Sequence, residues 1–216
     1  MLQARGGRPR DAQLHALILE ATRELLAVSS YSELSMESIA AHAHVGKKTL
    51  YRRWPSKAPL VAEAVLNAYG RDGSFTTPDT GDIRADLRAW LVEHAEFIAD
   101  PPNTALIRAL IAAAAASPAD NEALYEQLSV PQHAGLITRL RRAVDDGHLD
   151  ADADLDAIAN ALIGTLLLQV LTRTPPNSRT AAGFDGLLDA ILDGVARLVG
   201  SVEPSSVRNR RPRTRG

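Results

Sequence analysis

A short segment near the N-terminus concentrates the side chains that can bind phosphate. Its cationic and hydroxyl residues occupy six of the seven positions from 47 to 53. They are Lys47, Lys48, Thr49, Tyr51, Arg52 and Arg53, with Ser35 upstream and Lys57 downstream. Lysine and arginine neutralise phosphate charge, and hydroxyl groups donate hydrogen bonds to phosphate oxygens. This crowding predicts a nucleic-acid contact rather than a catalytic centre.

Other chemistries fail on spacing or on residue type. The aspartates of 150–154 resemble the start of a calcium loop, but Leu155 stands where glycine is needed and Ala161 where glutamate is needed. His42 and His44 do not share a helix face, so they predict no metal site. Cysteine is absent, which excludes disulfides and thiolate metal sites. No phosphate loop, serine elbow or zinc-protease motif occurs, so we predict no catalytic residue, no metal and no cofactor.

Charge is distributed unevenly along the 216 residues. The net charge is −2, but residues 1–57 carry +4, residues 208–216 carry +5 and residues 58–207 carry −11. A basic N-terminal segment followed by an acidic central segment is typical of a DNA-binding module joined to a second module.

Composition favours a helical, water-soluble chain. Aromatic residues are only 4%, so the core must consist mainly of Leu, Ile, Val and Ala, which favour helices. The apolar stretches at 109–116 and 162–171 are shorter than the ~20 residues that span a bilayer. We therefore expect no membrane segment and a cytoplasmic location.

Helical periodicity surrounds the basic segment. It predicts a helix from Asp11, a loop over 29–34, a short helix from Ser35, a third over 47–54 that ends at Pro55, and a fourth over 56–69. Residues 1–10 should form a flexible arm. Small residues at 40 and 43 and an apolar plug at 45 would let two helices meet at a tight turn, with Leu50 and Trp54 facing inward.

Helical patterns continue through the rest of the chain. A Gly-, Pro- and Asp-rich stretch at 70–81 predicts a domain boundary, followed by helices over 82–99, 103–116, 118–146, 153–172 and 183–199. Pro131 should kink or break the third of these helices. The predicted fold is all-α, about nine helices in total, with an N-terminal three-helix helix-turn-helix domain and a C-terminal helical bundle. The predicted divisions are 1–69 for the arm and helix-turn-helix, 70–203 for a ligand-binding and dimerisation domain, and 204–216 for a disordered basic tail.

The segment 45–57 resembles the signature of the TetR/AcrR family of transcriptional regulators. The matching residues are Val45, Thr49-Leu50-Tyr51, Trp54 and Pro55-Ser56-Lys57, and the resemblance covers about residues 11–69. The chain departs from the family pattern with His44 where glycine is frequent and Gly46 where serine is frequent. A histidine in a left-handed turn costs ~1 kcal/mol, and glycine caps a helix almost as well as serine.

The resemblance implies DNA-contact roles for eight residues. Those expected nearest the base edges are Lys47, Lys48 and Thr49. Those expected to contact phosphates are Ser35, Tyr51, Arg53 and Lys57. Arg52 could serve either bases or phosphates, and the arginines at 5, 8 and 10 could reach an adjacent groove.

The C-terminal helices predict a homodimer. The helix over 153–172 is apolar on nearly every side and must be buried on every side, either within one chain or against a second copy. The resemblance favours the second copy, since two recognition helices about one DNA turn apart can read a palindrome. The predicted interface residues are Leu162, Leu166, Val170, Leu188, Ile191, Leu192 and Val195.

The resemblance also implies a small-molecule pocket in the body. Its candidate lining residues are Trp90, His94, Phe97, Leu106, Leu110, Tyr125 and Leu140, although a histidine on an apolar stripe is more often a core residue. Scarce buried charge favours an apolar or weakly polar effector. The leading function is a ligand-responsive DNA-binding regulator, a repressor released from a palindromic operator. A DNA-binding regulator without small-molecule input and a helical enzyme stand as alternatives, which a ligand-sized cavity or a cluster of acid and base residues would separate.

Overall fold

The structure is a computed structural model that describes the backbone of residues 7–70, 76–172 and 178–197 and the side chains of 11–70, 76–172 and 183–193. Within these ranges it contains helices and no strand. The helices are α1 (Gly7–Val28), α2 (Met36–His42), α3 (Lys47–Arg53), α4 (Lys57–Ala68), α5 (Ile83–Ala99), α6 (Pro101–Ala116), α7 (Pro118–Leu124), a π-helical turn (Tyr125–Ser129), α8 (Val130–Asp145), α9 (Leu155–Thr172) and α10 (Ser178–Arg197). Since α7, the π-turn and α8 run on without interruption, the described chain has nine helical segments, and the all-α prediction is confirmed.

The first helix begins earlier than the sequence indicated. Residues 7–10 were predicted as part of a flexible arm, but they form the first turn of α1. Pro9 is compatible with a first turn, where backbone N–H groups have no partner inside the helix. The arginine at 5 and the tail at 204–216 lie outside the described residues.

Pro131 widens its helix instead of breaking it. The chain passes from α7 into α8 through the π-turn, where the backbone N–H of Val130 donates to the carbonyl of Tyr125. Proline lacks an N–H and its ring clashes with the carbonyl four residues earlier, so the extra residue in the turn relieves that clash. The predicted disturbance at Pro131 is therefore present as a bulge.

Two apolar cores hold the helices together. The first core joins α1–α4 to α6, α7 and the π-turn, with Ile18, Leu50, Val61 and Leu106 fully or almost fully buried in it. The second core joins α5, α8, α9 and α10. Because α1 and α4 pack on α6, the first core continues across the boundary predicted at residue 70.

Most residues predicted for a dimer interface lie inside one chain. Leu162, Leu166 and Val170 on α9, and Leu188 and Leu192 on α10, are buried against the chain's own helices, and Ile191 is half-buried. The side chain of Val195 lies outside the described residues. The predicted residues of α9 thus lie on its inward side, and a helix that is apolar all round carries no sequence signal for its outward face.

The outward face of α9 is apolar as well. Leu168 and Leu171 are 58% and 63% exposed, and Leu167 is partly exposed beside them. Among the described residues, α9 is the one helix long and apolar enough, by length and composition alone, to cross a membrane. Its other face packs into the second core. The exposed leucines of α9 thus form an apolar stripe on the protein surface.

Candidate nucleic-acid interface and central cavity

A tight turn joins α2 to α3. The backbone N–H of Val45 donates to the carbonyl of Ala40 at 2.9 Å, and the half-buried Val45 side chain packs against the first core. His44 has φ of +54°, the left-handed conformation expected at this position. Gly46 is the N-cap of α3, although it has no side chain to cap the helix. The turn therefore fixes where α3 begins.

Burial of one face of α3 leaves the other face open. Leu50 and Trp54 are buried as predicted, with exposures of 0% and 3%. The opposite face presents the exposed side chains of Lys47, Lys48, Tyr51 and Arg52, with Thr49 half-buried between them. The structure therefore brings five of the eight predicted DNA-contact residues onto one open surface, which we call the α3 face.

An acidic residue of α2 lies against the α3 face. Glu37 Oε1 is 3.5 Å from Lys47 Nζ and accepts a 3.4 Å hydrogen bond from the hydroxyl of Tyr51. The hydrogen bond of its own backbone N–H, followed by the charge of Lys47, holds the pKa of Glu37 below its usual value. In the folded protein its carboxylate holds two of the predicted contact residues in place.

Three predicted contact residues point into the protein instead. The Ser35 hydroxyl accepts from the backbone N–H of Ser38, which forms a reciprocal capping box at the start of α2. Lys57 Nζ donates to the carbonyls of Tyr31 and Leu34 at 2.6 and 3.0 Å. The same ammonium lies 4.1 Å from the centre of the Tyr31 ring.

Arg53 is the third of these inward residues. Its guanidinium pairs with Asp11 and donates to His15 Nδ1 at 3.2 Å, and its side chain is only 18% exposed. The phosphate roles of Ser35, Arg53 and Lys57 stay predictions, but each side chain must first leave a partner inside the protein.

A polar network behind α3 was not foreseen from the sequence. Trp54 Nε1 donates to Glu63 Oε2 at 2.6 Å, and His15 Nε2 lies 2.9 Å from Glu63 Oε1. The rings of His15 and Trp54 are stacked with centroids 5.3 Å apart. These contacts join the end of α3 to α1 and α4. They set the orientation of α3 relative to the rest of the protein.

A small cavity lies where the two cores meet. Its volume is about 70 Å³, and α4, α5, α6, α8, α9 and the π-turn contribute to its walls. Tyr69 closes one side, where its ring stacks on Phe97 with centroids 3.5 Å apart. His94 Nδ1 lies 2.8 Å from the carbonyl of Trp90, so that nitrogen carries the proton and donates. The wall is largely apolar, with His94 and Gln132 as its polar members besides Tyr69.

Few of the predicted pocket residues line this cavity. Of the seven, only His94 and Leu110 line the central cavity. Trp90, Leu106 and Leu140 are fully buried in the cores, Phe97 lies behind Tyr69, and Tyr125 is 56% exposed on the surface. The wall residues that the sequence analysis missed are Val65, Tyr69, Ile98, Ile107, Leu128, Gln132, Ile163, Leu166 and Leu167. They come from distant helices and carry no local signal.

The open α3 face, the tight turn and the helical body define a helix-turn-helix DNA-binding protein. Two family models match the chain: "Bacterial regulatory proteins, tetR family" over residues 18–64 and "Tetracyclin repressor-like, C-terminal domain" over residues 77–191. The chain belongs to the TetR family of bacterial transcriptional regulators, so it is a DNA-binding regulator and not an enzyme.

Individual relatives agree with this assignment. An uncharacterized HTH-type transcriptional regulator of Mycobacterium tuberculosis, Rv1556, is 31% identical over 195 residues, which cover 89% of this chain and 91% of that protein. A DNA-binding transcriptional repressor TetR of Mycobacteroides abscessus is 36% identical over 155 residues, which cover 70% of this chain and 77% of that protein. The crystal structure of the TetR family transcription regulator SCO0332 matches with a TM-score of 0.64 and 30% identity, covering 85% of this chain and 98% of that one.

Proposed function

We propose that this protein is a cytoplasmic repressor that binds a palindromic operator as a homodimer and is released by a small apolar effector. The observation that carries the proposal is the position of α4, which contacts both sites. Glu63 on α4 accepts from Trp54 at the end of α3, and Val65, two residues later, lines the central cavity. A ligand that displaces this part of α4 would reorient α3.

The α3 face is the proposed DNA surface. Lys47, Lys48 and Thr49 lie at the start of α3, where a recognition helix meets base edges in the major groove. Tyr51 and Arg52 lie one turn further along and suit phosphate contacts. We retain 1–69 as the DNA-binding domain, 70–203 as the ligand-binding and dimerisation domain, and 204–216 as a basic tail.

The proposed dimer interface is the outward face of α9 together with the open face of α10. On α9, Leu168 and Leu171 are exposed beside Gly164, around which the structure leaves open space. On α10, Gly183 and Gly186 likewise face open space. Small residues beside exposed leucines allow helices of a second copy to approach closely and bury the leucines.

The proposed effector site is the central cavity. Its apolar wall fits an apolar or weakly polar molecule. Small-molecule pockets usually measure about 300–1,000 Å³, so a cavity of about 70 Å³ must expand on binding. Such expansion would move α4, and binding would favour a state in which the two recognition helices no longer match the operator.

A regulator without small-molecule input is the second candidate, because the cavity is smaller than most ligand pockets. One experiment separates the two functions. Bound fragments are selected from random DNA, and a compound library is then screened for release of the selected site by fluorescence anisotropy. Compounds that release DNA from the wild type but not from the cavity-filling variant Leu110→Phe support the first function. Release by no compound supports the second, and the absence of any preferred DNA site contradicts both.

The dimer is tested independently. Leu168→Glu and Leu171→Glu should each convert the protein to monomer in light scattering after gel filtration, because a carboxylate cannot be buried cheaply in an apolar interface. The matched control is Leu17→Glu on α1, where the wild-type leucine is also 58% exposed. A dimer that survives both α9 substitutions would place the interface elsewhere.

A further inference from the structure

A second and larger cleft lies between the segment 76–79 and one face of α8. Its volume is about 560 Å³, within the range of small-molecule sites. Its walls include Thr77 and Asp79 on one side and Pro131, Ala134, Gly135 and Arg139 on the other. The small side chains at 134 and 135 leave the space open. The cleft shares no lining residue with the central cavity.

A buried arginine in this cleft has a donor without an acceptor. The Arg139 side chain is only 2% exposed, and its Nε donates to Asp86 Oδ2 at 2.7 Å. Asp86 also accepts from the hydroxyl of Thr80 at 2.7 Å. Arg139 Nη1, in contrast, is buried with no hydrogen-bond partner among the described residues. A buried guanidinium N–H without an acceptor is costly, so the site favours a group that supplies one.

A second unsatisfied group lines the same cleft. Thr77 Oγ1 is also buried without a hydrogen-bond partner in the described part of the chain. The hydroxyl and the guanidinium N–H can both donate, so one ligand with two acceptor oxygens could satisfy both groups. A planar carboxylate has this arrangement, and arginine binds it well.

The charges of the cleft limit the negative charge that a ligand can carry. Its lining contains three arginines and two aspartates, but Arg139 is also paired with the buried Asp86, so the local charges balance. Arg142 is already paired with Asp79 at 2.8 Å, and Asp86 lies behind Arg139. A dianion such as phosphate would therefore meet the carboxylates of Asp79 and Asp145 with too little compensating charge.

We propose that this cleft binds a small organic carboxylate. Its two oxygens accept from Arg139 Nη1 and Thr77 Oγ1, and its apolar part lies against Pro131 and Ala134. The ion pair of Arg139 with Asp86 stays in place and orients the guanidinium. The site depends neither on the proposed repressor function nor on the effector of the central cavity.

Benzoate is the test probe, and benzamide, of the same shape but uncharged, is the matched ligand control. Calorimetry on the full-length wild-type protein should show saturable benzoate binding below about 10 mM, at least about tenfold tighter than benzamide. Thr77→Val, which replaces the hydroxyl with a methyl group of similar size, should weaken benzoate binding about fivefold or more. Ala134→Leu should abolish it by filling the cleft, while the exposed Ala115→Leu on α6 leaves it unchanged.

Arg139 is not substituted, because its removal would leave the Asp86 carboxylate buried without its charged partner and destabilise the protein. A last variant, Leu110→Phe in the central cavity, should leave benzoate binding unchanged. Three results would overturn the proposal: no saturable binding, equal binding of benzamide, or full benzoate binding by Ala134→Leu. Loss of benzoate binding in Leu110→Phe would overturn it too, by moving the ligand to the central cavity.

Discussion

Replacing Lys57 with methionine separates a structural role of this lysine from a DNA-contact role. In the free protein its ammonium donates to two carbonyls of the loop before α2 and lies over the Tyr31 ring. Each charge-assisted hydrogen bond is worth about 1 kcal/mol at a half-buried site, and the ring contact adds about 0.5–1 kcal/mol. Lys57→Met keeps the aliphatic length but removes all three, so we expect the free energy of unfolding to fall by about 2–3 kcal/mol.

Urea unfolding followed by circular dichroism measures this loss, which corresponds to about 5–10 °C in melting temperature for a chain of this size. The salt dependence of DNA binding provides the second readout. Each phosphate contact contributes about 0.9 to the slope of log K against log salt. If the ammonium keeps these partners on DNA, Lys57→Met leaves the slope unchanged at a temperature where the variant is folded, whereas the phosphate contact predicted from the sequence requires a lower slope. The matched control is Lys48→Met, because Lys48 is exposed. This variant should have a lower slope of log K against log salt and an unchanged free energy of unfolding. If Lys57→Met lowers the slope and leaves stability unchanged, the structural role is wrong.

Three further predictions concern a charge, a pH dependence and a buried leucine. Glu37→Gln removes a carboxylate from beside the proposed phosphate contacts. Affinity for the selected DNA site, measured by anisotropy titration, should therefore rise about two- to fivefold at low salt and less at high salt. A loss of affinity would mean that the ordering of Lys47 and Tyr51 by Glu37 outweighs its repulsion of phosphate. Burial tends to raise the pKa of Asp86, but hydrogen bonds from Thr80 and Arg139 and the charge of Arg139 outweigh it, and the pKa lies below its usual value. The stability that this carboxylate contributes is thus present at neutral pH and lost as the pH falls below about 4, so the urea midpoint of unfolding should drop in that pH range. The Asp86→Asn variant should have a lower urea midpoint at neutral pH and a smaller drop on acidification. Leu162→Ala should lower the free energy of unfolding by about 2–5 kcal/mol without changing the oligomeric state, because Leu162 is fully buried within one chain. Dissociation of the dimer without a loss of stability would instead support a place for Leu162 in the dimer interface.

The sequence predicted the helix-turn-helix well because its signals are local. The spacing of Leu50 and Trp54 defines the inner face of a short helix, and Pro55 limits its length. His44 and Gly46 fix the turn through their own backbone conformations. These features lie within about a dozen residues, so no knowledge of tertiary packing was needed to place the α3 face.

The parts that the sequence could not predict depend on contacts between distant residues. Arg53 turns inward because Asp11 and His15 of α1 lie beside it, and no spacing within α3 reports their position. The central cavity is lined by residues that lie far apart in the sequence, from Val65 to Leu167. The surface of α9 is apolar on almost every side, so the helices packed around it, rather than its own sequence, determine which side is buried.

The shared first core has a practical consequence for protein engineering. Since α1 and α4 bury apolar side chains such as Ile18 and Val61 in the same core as Leu106 of α6 and Leu124 of α7, cutting the chain near residue 70 would expose those side chains to water. A fragment that ends there should aggregate or unfold rather than bind DNA. Chimaeras that exchange DNA specificity between relatives will therefore need matched α6 and α7 surfaces along with the N-terminal helices.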